Sequence, residues 1–168
     1  GINIMGTVRH FTATGYLVHE SSVFLHWHEK LSMWLPPGGH IEENEDPVQA
    51  VLREIFEETG LEAVIIENDR KSTFSFKYPQ LVSPPRYIMI EDVHDPLIGP
   101  HKHIDLIYYC RSLNGVENIK QNWVAVDYNA LKQNKMSTND DVHSVSLTDD
   151  VREMSMEAIC INLNQFTS

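Results

Sequence analysis

A chain of 168 residues, 42 % of them hydrophobic, suffices for one compact domain spanning residues 1–168 and is too short for two comfortable ones. Its net charge of −11 excludes a general binder of nucleic-acid polymers, which needs a basic surface, but not a small nucleotide that arrives as a magnesium complex. No stretch approaches the roughly 18 apolar residues of a membrane span and no charged-then-apolar leader is visible, so a cytoplasmic location is expected, with Met5 a candidate native start.

In chain order, His10–His19 carries β-favouring residues (Phe11, Thr12, Thr14, Tyr16, Val18) and pairs with Val23–His28 across a turn at Glu20–Ser22. A helix follows from Pro47, then a strand over Ala63–Asn68. Tyr87–Val93 and His103–Arg111 read as two further strands, joined through Asp95–Pro100, whose turn residues suggest a loop at the edge of a site. Trp123–Asp127 gives a short strand before a short helix near Ala130, and the polar run Asn134–Ser146 reads as a mobile loop. Thr148 caps a terminal helix whose Asp149 and Asp150 suit the helix dipole and whose Val151, Met154, Ala158 and Ile161 recur on one side. Strands interleaved with helices imply an α/β domain with a mixed sheet covered on both faces. Cys110 and Cys160 lack the spacing of metal sites and are expected to be buried thiols.

The central helix carries the chemistry. Asp46 reads as its N-cap, Pro47 as its first residue, Gln49 as the capping-box partner and Gly60 as its left-handed terminator. At about 100° per residue, Val48, Val51, Leu52, Ile55 and Phe56 form an apolar arc, while Glu54, Glu57 and Glu58 cluster on the opposite side. Three carboxylates so close, with little Lys or Arg expected nearby, call for a hard divalent cation with oxygen ligands, and Mg2+ also binds phosphate oxygens. A solvated acidic face is the plain alternative. Against it stands the preceding Leu35–Gly39 segment, whose glycines let backbone approach a ligand closely.

Gly39, Glu45, Arg53, Glu54, Ile55, Glu57, Glu58, Gly60 and Leu61 satisfy, without a break, the pattern G-x5-E-x7-R-E-U-x-E-E-x-G-U, where U is aliphatic. The chain therefore resembles the Nudix hydrolases, which cut a phosphoanhydride bond in nucleoside diphosphates linked to another group. The resemblance implies an α/β/α sandwich around a mixed sheet, with Mg2+ (or Mn2+) held by the Gly38 carbonyl, Glu54, Glu57 and Glu58. It also implies a catalytic base drawn from Glu54 or Glu57, with Glu91 a more distant candidate. Arg53 is expected to pair with Glu45 as structural support, holding the loop against the helix. A Nudix-fold sensor that binds nucleotides without hydrolysis is the rival reading, although such proteins usually lose box glutamates that this chain keeps.

Substrate contacts are less defined. His26 and His28 alternate on the strand before the box and suit phosphates, Trp27 is a candidate for stacking a base, and Trp34 reads as core. His103 and Asp105 alternate on a strand expected to face substrate. Tyr78 lies near where the dinucleoside polyphosphate branch carries a tyrosine, whereas the motifs of the coenzyme A, NADH and ADP-ribose branches are missing. A small nucleotide is the expected partner, with no membrane and no nucleic-acid polymer; a homodimer is left open.

Overall fold

The computed structural model describes residues 8–68, 72–134, 136 and 147–164. Its strands are β1 (Arg9–His19), β2 (Ser22–His28), β3 (Met33–Leu35), β4 (Gly38–His40), β5 (Ala63–Ile65), β6 (Tyr87–Asp95), β7 (Gly99–Ser112) and β8 (Val124–Asp127). Its helices are α1 (Pro47–Thr59), α2 (Tyr128–Gln133) and α3 (Asp149–Asn164).

The sheet is mixed and β1 organises it. Residues 9–18 of β1 run parallel to residues 102–111 of β7, the turn end of β1 is antiparallel to β2, and Thr12–Thr14 is antiparallel to β4. β7 is flanked by β6 along its first half and by β5 at its end. β2 pairs β8 through Ser22–Leu25 and β3 through His26–His28.

Alternation along β1 separates two cores. Ala13 and Leu17 join Val51, Ile55, Tyr108 and Cys110 beneath α1. Tyr16 and Val18 join Ile107, Tyr109, Leu131, Val151 and Ile159 beneath α2 and α3. Helices therefore cover both faces of the sheet.

The α1 boundaries follow from local chemistry. Asp46 accepts from the Gln49 amide at 2.8 Å while the Gln49 side chain accepts from the Asp46 amide at 2.9 Å, and Gly60 closes the helix at φ 80°. The buried face differs from the expected arc. Ala50 and Thr59 complete it with Val51 and Ile55, whereas Phe56 is 54 % exposed. Gly15 explains the close seating of α1: a Cβ there would lie 2.8 Å from Val51 Cγ2 and 2.9 Å from Ile55 Cδ1. This face is rotated towards the glutamates, so Glu54 and Glu58 are half-buried and only Glu57 is exposed. They do not all lie opposite the core.

Other expectations shift as well. β7 begins at Gly99, and Asp95–Gly99 is a tight hairpin tip, with the Asp95 carboxylate accepting from the Leu97 and Ile98 amides, and not a loop at the site edge. The strand after α1 ends at Ile65: the Ile66 amide still donates to the Tyr109 carbonyl of β7 at 2.8 Å, but the paired register stops at Ile65. Cys110 is buried but Cys160 is exposed, on the solvent side of α3. Asn134 ends α2 in the left-handed region at φ 55°, while most of the expected mobile loop, residue 135 and residues 137–146, lies outside the described residues.

Candidate active site

The Gly-rich segment is itself a strand. β4 lies on Thr12–Thr14, and the Gly15 amide donates to the Pro37 carbonyl at 3.0 Å, fastening the approach to β4 onto the central strand. A Cβ on Gly38 would lie 2.8 Å from both the Ala13 carbonyl oxygen and Thr14 Oγ1. A Cβ on Gly39 would collide with the Glu54 carboxylate. Gly38 is required because the β1 backbone packs where its side chain would stand, and Gly39 leaves room for the Glu54 carboxylate. The Gly38 amide donates to Glu58 Oε2 at 3.2 Å, which joins the segment to the end of α1.

Arg53 ties the rest together. Its Nε and Nη2 donate to the two Glu45 carboxylate oxygens at 3.0 and 2.7 Å, a bidentate pair. Nη2 also donates to the His40 carbonyl at 3.1 Å. Nη1 donates to Glu54 Oε1 at 3.0 Å and to Glu57 Oε2 at 3.2 Å. The expectation of little Lys or Arg near the glutamates is thus corrected, since the helix supplies its own guanidinium beside two of the three. Glu45 in turn accepts from the Glu42 amide at 2.8 Å, and its hydrogen bonds to Arg53 hold its carboxyl below the usual range. Glu58 differs: no ion pair reaches it among the described residues. Burial pushes its carboxyl up to about 7, with the Gly38 amide opposing and the charges of Glu54 and Glu57 adding.

A cleft of about 490 Å³ opens beside this cluster. Gly38, Gly39 and Glu58 lie at one end, Thr12, Thr14 and Tyr16 line it from β1, and Asp150 and Val151 close it from the start of α3. Asp105 is buried there and accepts from Thr12 Oγ1 at 3.0 Å and from Thr14 Oγ1 at 2.8 Å. It is also hydrogen-bonded to Glu91 of β6, and burial pushes both carboxyls above their usual range. Two such groups hold one proton between them more readily than two charges. The cleft therefore offers a neutral carboxyl donor beside a carboxylate.

Of the residues expected to touch substrate, His26, His28, His103 and Asp105 line this cleft. Burial holds His26 below the usual imidazole range, and its ring lies 4.4 Å from that of Trp123. Trp27 is a correction: strand alternation points it away from His26 and His28, and it packs edge-to-face on Trp34 at 5.7 Å, against the core beneath α3. Tyr78 is a second correction, being 88 % exposed and outside the cleft lining. Trp123, Thr12 and Thr14 were missed. Thr12 and Thr14 share a strand face with Tyr16, a signal present in the sequence, but the pairing that sets them beside Asp105 spans about ninety residues.

Three comparisons bear on this geometry. The sequence pattern of the NUDIX domain matches residues 9–141. A crystal structure of a NUDIX-family hydrolase from Clostridium perfringens superposes with a TM-score of 0.74 and 27 % identity, covering 92 % of this chain and 98 % of that one. The MutT protein of Bacillus halodurans, at 13 % identity and a TM-score of 0.51 over 86 % of this chain and 78 % of its own, shares the fold. The RNA pyrophosphohydrolase of Bartonella henselae is 35 % identical over 63 residues, 38 % of this chain and 33 % of that protein. The chain thus spans about a third of the length of the curated relatives it matches. Among the described residues no helix is long and apolar enough to cross a membrane.

Proposed function

The chain belongs to the NUDIX domain family, and on that premise we propose that it is a metal-dependent hydrolase of a phosphoanhydride bond in a small nucleoside diphosphate-linked substrate. The observation that carries this reading is the convergence of Glu54 and Glu58 on the Gly38–Gly39 backbone beside the cleft, with Glu57 tied to Glu54 through the Arg53 guanidinium.

The donor set fits a hard divalent cation. It offers oxygens alone, and Glu58 is a half-buried carboxylate whose charge no cationic side chain offsets among the described residues. The Gly38 carbonyl with Glu54, Glu57 and Glu58 would hold Mg2+, with Mn2+ as a substitute. Such an ion, when bound, neutralises phosphate charge and lowers the pKa of water towards that of a usable nucleophile.

The chain's own residues would do the remainder. Arg53 fixes the directions of Glu54 and Glu57 through one nitrogen and locks the β4 backbone through another. One of those two glutamates takes the proton of the attacking water as its oxygen bonds to phosphorus and the bridging P–O bond breaks. The leaving phosphate departs with the electron pair. General-base assistance of this kind contributes roughly 10²–10⁴ in rate. His26 and His28 suit the remaining phosphate oxygens, and the Glu91–Asp105 pair supplies both a donor and an acceptor for the polar edge of the substrate.

The relatives named RNA pyrophosphohydrolases favour a second substrate, the 5′-triphosphate end of an RNA. The charge of −11 weighs against a long polyanion, so the small nucleotide is preferred. The test is product release over a panel of nucleoside triphosphates, nucleotide sugars, dinucleoside polyphosphates and 5′-triphosphorylated RNA, with Mg2+, Mn2+ or EDTA. Metal-dependent release of a nucleoside monophosphate, phosphate or pyrophosphate supports hydrolysis. Tight binding with no product from any of them would replace the enzyme by a nucleotide sensor.

A further inference from the structure

We propose that His10, His40 and His103 form a second metal site, distinct from the glutamate cluster, that takes a late first-row divalent ion such as Zn2+. One ligand atom from each of the three rings lies within 4.8 Å of the others. The residues come from three different strands: His10 from β1, His40 from β4 and His103 from β7. Register explains the convergence. His10 is directly opposite His103 in the parallel β1–β7 ladder, and β4 brings His40 against Thr12, two residues along the same face.

Ring geometry sets His40 against both of the other rings. The His10 and His40 centroids lie 5.1 Å apart at 73°, and those of His40 and His103 lie 5.3 Å apart at 79°. His40 thus stands edge-on to both rings, while those of His10 and His103 are stacked at 6.4 Å and 28°. Two nitrogens on a tetrahedral zinc at 2.0–2.1 Å stand about 3.3 Å apart, so the trio must contract by up to roughly 1.5 Å on binding. His40 is exposed and has room to swing inwards.

A fourth histidine sets the proton arrangement. His101 Nδ1 lies 3.0 Å from the Gly99 carbonyl oxygen, which can only accept, so Nδ1 carries the hydrogen. In the neutral ring Nε2 is then bare. It lies 3.2 Å from His103 Nε2, which must donate to it, leaving Nδ1 as the bare nitrogen of His103. A metal-ligating imidazole usually donates its other N–H to a fixed acceptor, and for His103 that acceptor is His101, itself held on the Gly99 carbonyl. His101 is 5 % exposed and is accordingly a positioning residue.

Ligand softness separates the two sites. Imidazole nitrogens select zinc, copper or nickel, whereas carboxylates and carbonyls suit magnesium and manganese. An ion here would also clamp β4 to β1 and β7, since one ligand comes from each.

The test uses the metal-stripped full chain in millimolar Mg2+, which occupies the glutamates, titrated with Zn2+ by calorimetry and with Co2+ by visible absorption. One equivalent of Zn2+ with micromolar or tighter affinity is expected, with the intense ligand-field bands of low-coordinate cobalt. His40→Ala, at an exposed position and so without risk to the fold, should weaken binding at least 100-fold. His10→Ala should do the same, and His101→Ala should weaken it about 10- to 100-fold through the outer partner. Glu57→Gln and the double variant His26→Ala/His28→Ala should bind as the parent does. Absence of saturable zinc binding in Mg2+ overturns the proposal, as does binding that survives His40→Ala or is lost in Glu57→Gln.

Discussion

Replacing Arg53 with lysine probes the joint on which the proposed chemistry rests. The guanidinium makes five hydrogen bonds, to Glu45 twice, to the His40 carbonyl, to Glu54 and to Glu57. An ammonium keeps the charge but cannot form the Glu45 fork and reach both Glu54 and Glu57 at once. A hydrogen bond to a charged group contributes about 1.5–3 kcal/mol. The Arg53 side chain is 23 % exposed, so screening reduces each contact, and a total of about 1.5–3 kcal/mol for those lost together is the reasonable scale. If that loss falls on the geometry of Glu54 and Glu57, turnover drops roughly 10- to 150-fold. Steady-state kinetics at saturating Mg2+ on the best substrate of the panel give kcat and KM, and calorimetry gives Tm. We expect the fall in kcat with KM within about threefold, and a Tm loss of at most about 2–4 °C for each kcal/mol that reaches global stability. A large rise in KM with unchanged kcat would refute this reasoning and make Arg53 a substrate ligand.

Glu57→Gln and Glu58→Gln should each lower kcat about 100-fold or more, measured on protein whose circular dichroism is unchanged. Glu58→Gln should also raise the Tm of the metal-free protein at pH 8, because a neutral amide replaces a carboxylate that burial penalises. Gly15→Ala should cost about 1–3 kcal/mol in urea denaturation, since its Cβ displaces Val51 and Ile55, and a cost near zero would show that α1 can shift freely. The Glu91–Asp105 pair binds its proton more tightly folded than unfolded, so its contribution is fully present below the usual carboxylate range, near pH 4, and is lost as pH rises through the elevated folded value. His103, held low at about 4, works the other way below pH 6.5, so the decline shows above that pH, and Glu91→Gln should flatten it in a stability–pH series on metal-free protein. Trp34→Ala should cost about 3–5 kcal/mol without altering KM, because the ring is 4 % exposed in the core beneath α3.

The sequence made α1 legible to the residue, because a capping box and a left-handed glycine are local signals with local causes. The covered mixed sheet was legible for the same reason, through strand and helix patterning. What escaped was set by distant partners. The buried face of α1 depends on Gly15 opposite it, so periodicity alone kept Phe56 and overlooked Thr59. Trp27 looked available for a base until β3 brought Trp34 against it. The Gly-rich segment read as loop, because three-residue strands carry too little pattern to reveal pairing with β1. The histidines were visible singly, but only the β1–β7 register brings His10 and His103 face to face.

The fastening of β4 to β1 also governs how this protein can diversify. The Gly38–Gly39 end of the cleft is built into the central ladder, through the Gly15–Pro37 and Phe11–Ile41 backbone hydrogen bonds on either side of β4. Substitutions there are felt by the whole fold, so chemistry and stability must drift together. The opposite wall is carried by β6, which among the described residues pairs with β7 alone and turns Ile88 and Ile90 to solvent while Met89 and Glu91 face the cleft. That strand can exchange its inward residues without disturbing the β1–β4 ladder. Substrate preference can therefore evolve on one strand while the proposed hydrolytic apparatus stays fixed on another.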